Sequence, residues 1–140
     1  AILSFNTAGL PDNAVITKVT LKINAQGLVG TDPFGTHGSL TVDIRKPFFG
    51  TTPNLVVSDF QTMASSLAVA TFDVTPVGNW YHAILNATGR SLVNRIGTTQ
   101  FRLRFATDDN NNLVADYMSF YSGDAASAAR PQLIVQYYVP

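Results

Sequence analysis

Cysteine is absent from this 140-residue chain, and so is glutamate; all nine acidic residues are aspartates. Without cysteine, neither a disulfide framework nor a thiolate metal site can form. That leaves the compartment open, because a domain of this length buries enough core to hold together without cross-links. Charge is also scarce: charged residues make up 13% of the chain, where about 25% is usual. Nine basic residues balance the nine acidic ones, and zero net charge argues against a nucleic-acid or anionic-membrane partner, which needs a basic field. No apolar run approaches the roughly 20 residues of a membrane span, and no signal peptide is visible. Thr, Asn, Ser and Gly stand where helix-forming Glu and Lys are missing, which suits strands and turns.

The most informative stretch runs from Thr98 to Asp124. In it Phe101, Leu103 and Phe105 alternate with Arg102 and Arg104, and a period of two sends the apolar groups to one face of a strand. The run Asp108-Asp109-Asn110-Asn111-Asn112 favours turns through side-chain to backbone hydrogen bonds. Asp116 to Ser122 then reads as a second strand, with Met118 and Phe120 opposite Tyr117, Ser119 and Tyr121. Together these predict an antiparallel hairpin at the centre of a sheet, its tip rich in carboxylates and amides.

Around it the chain reads as short strands and loops. Ile2 to Phe5 is a strand, followed by turn-forming residues to Asn13. Val15 to Ile23 alternates cleanly, with Val15, Thr17, Val19, Leu21 and Ile23 on the core face and Lys18 and Lys22 outward. Gly27 to Gly38 holds four glycines and a proline and predicts a long loop. Leu40, Val42 and Ile44 form a third strand that stops at Pro47. Phe48 to Leu55 is a loop, and Ser58 or Asp59 is placed to cap a short helix over 59–65. Val69 to Val74 and Tyr81 to Asn86 are further strands, Leu92 to Ile96 one helical turn, and Gln132 to Tyr138 the last strand. About eight strands separated by loops rather than helices mean a single all-β antiparallel sandwich over residues 1–140.

Three segments carry a resemblance: FNTAGLPDNAVITKVTLKI near the start, WYHAIL in the middle and YSGDAASAARPQLIVQYY at the end. With them the chain resembles the DNRLRE-type secreted bacterial modules, which are related to carbohydrate-binding modules with a jelly-roll sandwich. The resemblance implies a jelly-roll fold and an extracellular or cell-surface location, and it supplies no catalytic residue. Such modules open with further strands before a segment like AILSFN, whereas this chain starts there, without a methionine and inside a strand. The expectation is a processed product or residues further upstream, and a sandwich lacking its first strands. That would leave an open edge and an uncovered groove at Ile2, Leu3 and Phe5, to be filled by a deleted segment or by a neighbour's strand.

Several residues are candidate sites. Asp108, Asp109, Asn110 and Asp116 are oxygen donors for a structural Ca²⁺, although the spacing lacks the Gly and Glu of an EF-hand. The competing reading is a solvated tip. Asn86-Ala87-Thr88 is the one Asn-x-Ser/Thr sequon, a candidate glycosylation site or an unmodified turn. Among the aromatics, Trp80 is expected in the core, while Tyr81 and Tyr138 are the candidates for stacking on a sugar. His37 and His82 have no evident partner; Asp43 or Asp73 with His82 is a conceivable dyad that nothing in the sequence favours, and aspartate pairs among Asp43, Asp59, Asp108 and Asp116 exist by number alone. Arg102 and Arg104 are expected to face away from the core and pair with Asp43 or Asp116.

The reading that results is a non-catalytic extracellular structural subunit. It would self-associate through an open sheet edge into a surface filament, with a glycan at Asn86. The competitor is a carbohydrate-binding module of a larger secreted protein.

Overall fold

The computed structural model describes residues 1–140 and contains eight strands: β1 (Ile2–Asn6), β2 (Val15–Gly30), β3 (Leu40–Arg45), β4 (Ser66–Thr71), β5 (Trp80–Ile84), β6 (Thr98–Phe105), β7 (Asp116–Phe120) and β8 (Gln132–Tyr138). Two short helices, α1 (Pro33–Thr36) and α2 (Ala87–Ser91), and a 3₁₀ turn over Val57–Gln61 complete it. One sheet has the order β1-β6-β3-β4; the other places β5 on one edge of β2 and β7 and β8 on the other, all antiparallel. Consecutive residues of a strand point their backbone groups to opposite sides. Ala25 N–H donates to Asn79 O on the β5 side while Asn24 O accepts from Tyr121 N, so β7 lies across β2 from β5. β8 pairs with Val15–Lys22 and β7 with Ala25–Gly30, so the two run end to end along one edge of the long strand.

The facing sides meet in one cluster that includes Val19, Leu21 and Ile23 of β2, Val42 and Ile44 of β3, Phe101 and Leu103 of β6, and Val69 of β4. Each of these buried aliphatic or aromatic side chains contributes about 1.5–3 kcal/mol over leaving it in water. The ends are plugged. Phe34 of α1 stacks on Tyr81 (5.1 Å, 6°) and meets Phe105 edge-on at 5.4 Å. At the other end Gly89 of α2 sits so close that an added Cβ would lie 2.9 Å from Val69.

The expected sandwich is therefore present, with corrections in its parts. The stretch 98–124 is not a hairpin: β6 is interior to one sheet and β7 pairs with β2 in the other. Residues 106–115 cross between the layers, and Met118 and Phe120 still face inward, so alternation was right and the partner was wrong. The glycine-rich 27–38 is not one loop either; β2 continues through Gly30, where Gly27 to Gly30 pair with β7 across a bulge. The helix expected over 59–65 is the 3₁₀ turn at 57–61, and the turn expected over 92–96 comes earlier, as α2, because Asn86 caps it.

The outer face of the first sheet is covered too. Residues 46–65 fold over it, burying Asp43, Gln100 and Arg102, the side chains whose alternation reads as solvent-facing. The second sheet's outer face stays open.

Candidate functional site

One flank of the sandwich is closed by backbone contacts: Asp73 N donates to His82 O (2.9 Å) and Asn86 N to Val69 O (2.8 Å), tying β4 to β5. At the opposite flank β1 and β8 are the edges of their sheets and do not pair with each other. Between them lies an open groove of about 360 Å³ whose apolar walls are Phe5, Leu10, Leu133 and Val135, with Thr7 and Gly9 at one end. These four apolar side chains are the partly buried fringe of the core.

The strand order explains the groove. In a jelly roll the first strand lies at a sheet edge outside the last strand and faces the second across the layers. Taking β1 as the second strand and β7 with β8 as the last reproduces both sheet orders and leaves the first position unfilled. The backbone there is ready to pair. Lys22 and Thr20 of β2 face β8 opposite Gln132 and Ile134, so the N–H and C=O groups of Leu133 and Val135 point to the free edge. Flanking β1, Ala1 O accepts from Leu103 N of β6 and Thr7 N donates to Gly97 O, just before β6, so the backbone of Ile2, Ser4 and Asn6 points outward.

Of the residues expected at the assembly edge, Leu3 and Phe5 pack on the core, Phe5 edge-on against Phe101 at 6.0 Å, and Ile2 is half-buried on the opposite face. Sequence reasoning missed the other wall, Leu133 and Val135, since their alternation reads only as core. Nothing in a single strand's pattern distinguishes an edge from an interior.

The Asp/Asn tip is held by its own turns. Asp109 accepts from Asn111 N (2.8 Å), Asn110 from Asn112 N (3.3 Å) and Asn112 from Val114 N (2.9 Å). Asp116 does not join Asp108 and Asp109 around a cation. Its Oδ2 accepts from Asn110 Nδ2 at 2.9 Å and meets His37 Nε2 at 3.1 Å. No three His, Cys, Asp or Glu side chains converge in a metal-binding arrangement. His37 Nδ1 lies 3.0 Å from Thr107 O. Carbonyl and carboxylate both only accept, so the ring can donate to both partners at once only in its doubly protonated form. Asp116 first and the Thr107 carbonyl second hold the His37 pKa above its ordinary value.

Asn86 is exposed and N-caps α2, its Oδ1 accepting from Gly89 N at 2.9 Å. The sequon therefore sits at the surface with its oxygen engaged and its Nδ2 making no hydrogen bond.

The aromatic assignment is reversed. Tyr81 is buried in the core under Phe34 and cannot stack on a sugar, whereas Trp80 lies on the outer face with the Lys22 ammonium 4.7 Å from its ring centre. The strand begins one residue earlier than Tyr81, at Trp80, and adjacent residues of a strand point to opposite faces, so with Tyr81 inward Trp80 faces out. Tyr138 is exposed as expected. Trp80 pairs with Asn24 and Tyr138 with Val15, which separates them by about 30 Å along β2. They do not form one sugar-stacking platform.

Asp43 and His82 lie in different sheets, and Asp73 meets His82 only through backbone, so neither dyad is assembled. Arg102 and Arg104 do pair with Asp43, but Arg102 is enclosed: Nε and Nη2 donate to Asp43 Oδ2 (3.1 and 2.8 Å), and Nη1 donates to the carbonyls of Phe60 (2.7 Å) and Thr62 (2.8 Å). Burial pushes the Asp43 carboxyl up, yet hydrogen bonds from Arg104, Ala68 N–H and Arg102 outweigh it and hold the group below its ordinary range.

No protein-family model, curated protein or solved structure matches the chain.

Proposed function

We propose that this chain is a non-catalytic extracellular structural subunit that assembles by accepting a strand along β8, in the unfilled first position of its jelly roll. The observation that carries the reading is the groove between β1 and β8, where apolar side chains and unpaired backbone lie on the same edge. A strand laid there would bond to the backbone of Leu133 and Val135 and place alternate side chains over Phe5 and Leu10. A long apolar edge left bare is an aggregation hazard that folded proteins ordinarily protect. When the strand comes from the next copy, the contact is head-to-tail and does not close, which gives a filament rather than a ring. An exposed sequon at Asn86, at the far end of β5 from Trp80, fits a glycosylated surface fibre.

Electron microscopy of the natively sourced protein tests this. Helical fibres with one subunit's strand in the next subunit's groove are the expected result, with the amides of Leu133 and Val135 protected from hydrogen exchange only in the fibre. Monodisperse single-domain particles overturn it. Glycan-array binding by such particles would favour the carbohydrate-binding alternative.

A further inference from the structure

The chain's ion pairs engage His37, Arg102 and Arg104. Arg90 and Arg95 have no carboxylate within ion-pair distance, yet both line one cleft of about 440 Å³ between α2 and the start of β2, with Asn13, Ile16 and Ser91. Each guanidinium is anchored by a single backbone carbonyl. Arg90 Nη1 donates to Leu85 O at 3.1 Å, and Arg95 Nη1 donates to Asp12 O at 3.2 Å. Arg95 Nε is enclosed and has no acceptor at all. A buried donor without a partner carries the cost of its desolvation, and two unpaired cations in one cleft repel each other. Arg95 also lines the adjoining cleft with Lys46 and Asp12, and neither of those makes an ion pair, so the local balance remains positive.

An arginine presents a fork of N–H donors matched to the oxygens of a carboxylate, sulfate or phosphate. The Asn13 side chain makes no hydrogen bond and lies at the cleft wall, where its amide adds a neutral donor. The cleft is far larger than the roughly 30 Å³ share of one water, so it has room for an oxyanion carried on a larger molecule.

We infer that this cleft is an oxyanion-binding site in which Arg90 and Arg95 grip the group from two sides. It lies at the α2 end of the sandwich and does not depend on strand acceptance along β8.

Titration with inorganic phosphate, sulfate and glucuronate at constant ionic strength, followed by the arginine Nε–H resonances of the native chain, tests the inference. Saturable shifts confined to Arg90 and Arg95 are expected. Arg90→Gln and Arg95→Gln should each weaken binding by at least about tenfold, the loss of one charge-assisted fork, while the charge-matched Arg130→Gln leaves it unchanged. Stronger binding of glucuronate assigns the site to a carboxylate source, and stronger binding of phosphate or sulfate to an ester source. Shifts reproduced by chloride, equal weakening in Arg130→Gln, or no shift in the wild type at millimolar anion overturns it. If a glutamine variant fails to fold, the wild-type resonances still decide.

Discussion

Arg102 on β6 donates two hydrogen bonds to a single oxygen of Asp43 on β3, at 3.1 and 2.8 Å, beneath a loop that excludes solvent from both. The pair is the centre of a polar layer outside the hydrophobic core. Gln100, also fully buried, extends it by accepting from Phe49 N (2.8 Å) and donating to Ser4 Oγ (2.8 Å) and Pro53 O (2.9 Å). The phenyl rings of Phe49 and Phe60 flank the Arg102 guanidinium at 5.1 and 5.7 Å. This layer pins residues 46–65 to the sheet.

Removing one member of that layer should therefore be costly. Asp43→Ala leaves Arg102 charged and enclosed, an expected loss of about 3–5 kcal/mol in urea unfolding. Arg104→Ala should cost only about 1 kcal/mol or less, because its side chain is 38% exposed and its bridge is screened. The Asp43 carboxyl is depressed in the fold, so its contribution is complete above its unfolded pKa of about 3.9 and fades as pH falls through the lower folded value. Acid unfolding of the wild type should show this loss, and Asp43→Asn should flatten it.

His37 titrates in the opposite sense. Its folded pKa is raised by Asp116 and by the Thr107 carbonyl, so the stabilisation is complete below the unfolded value of about 6.5 and is lost as pH rises through the folded one. Thermal unfolding followed across neutral pH should show melting temperature falling as pH rises through that window. His37→Gln should remove the slope; an unchanged slope would place the titration elsewhere.

Gly50 and Gly78 separate crowding from backbone strain. Both have positive φ, +76° and +61°, but a Cβ at Gly50 would stand 2.0 Å from Asp59 Oδ1, while one at Gly78 meets nothing within 4 Å. Asp59 also accepts from Val56 N at 2.9 Å, so moving it loosens the 3₁₀ turn. Gly78→Ala should cost about 1–2 kcal/mol, the left-handed penalty alone, and Gly50→Ala clearly more. Equal losses in chemical denaturation would refute the crowding argument.

At Asn86 the proposed glycan and the helix cap can be told apart. Thr88→Ala destroys the sequon but leaves the Asn86 cap on Gly89 in place. In protein from its native source, mass spectrometry should show a glycan at Asn86 that Thr88→Ala removes with little change in stability. Asn86→Ala should remove the same mass and cost a further ~1 kcal/mol through the lost cap.

Much of the β architecture was legible in the residues. Alternation at Val19, Leu21 and Ile23, at Val42 and Ile44, and at Phe101 and Leu103 assigned core faces correctly, because a two-residue period is a local property of strand geometry. The same face failed at Val15 and Thr17, which are exposed: the irregularity between Ile16 and Lys18 shifts the phase, and Ile16 packs on the core instead. An ion pair from Arg102 and Arg104 was also readable as opposite charges on neighbouring strands, with Asp43 and Asp116 as alternatives; both arginines take Asp43. The period breaks where local rules compete: the glycines of 27–30 read as a loop, yet they pair with β7 once the tertiary fold brings it alongside.

What only the tertiary structure decided was which strands are neighbours and which faces are covered. Met118 and Phe120 point inward in a hairpin and in a crossover alike, so the pattern is silent on whether β7 pairs with β6 or with β2. Arg102 alternates as a solvent-facing residue, and its burial depends on a loop whose own residues carry no period. The seam between β1 and β8 is visible only when both sheets are assembled, because an edge is defined by a missing neighbour and not by any residue on it.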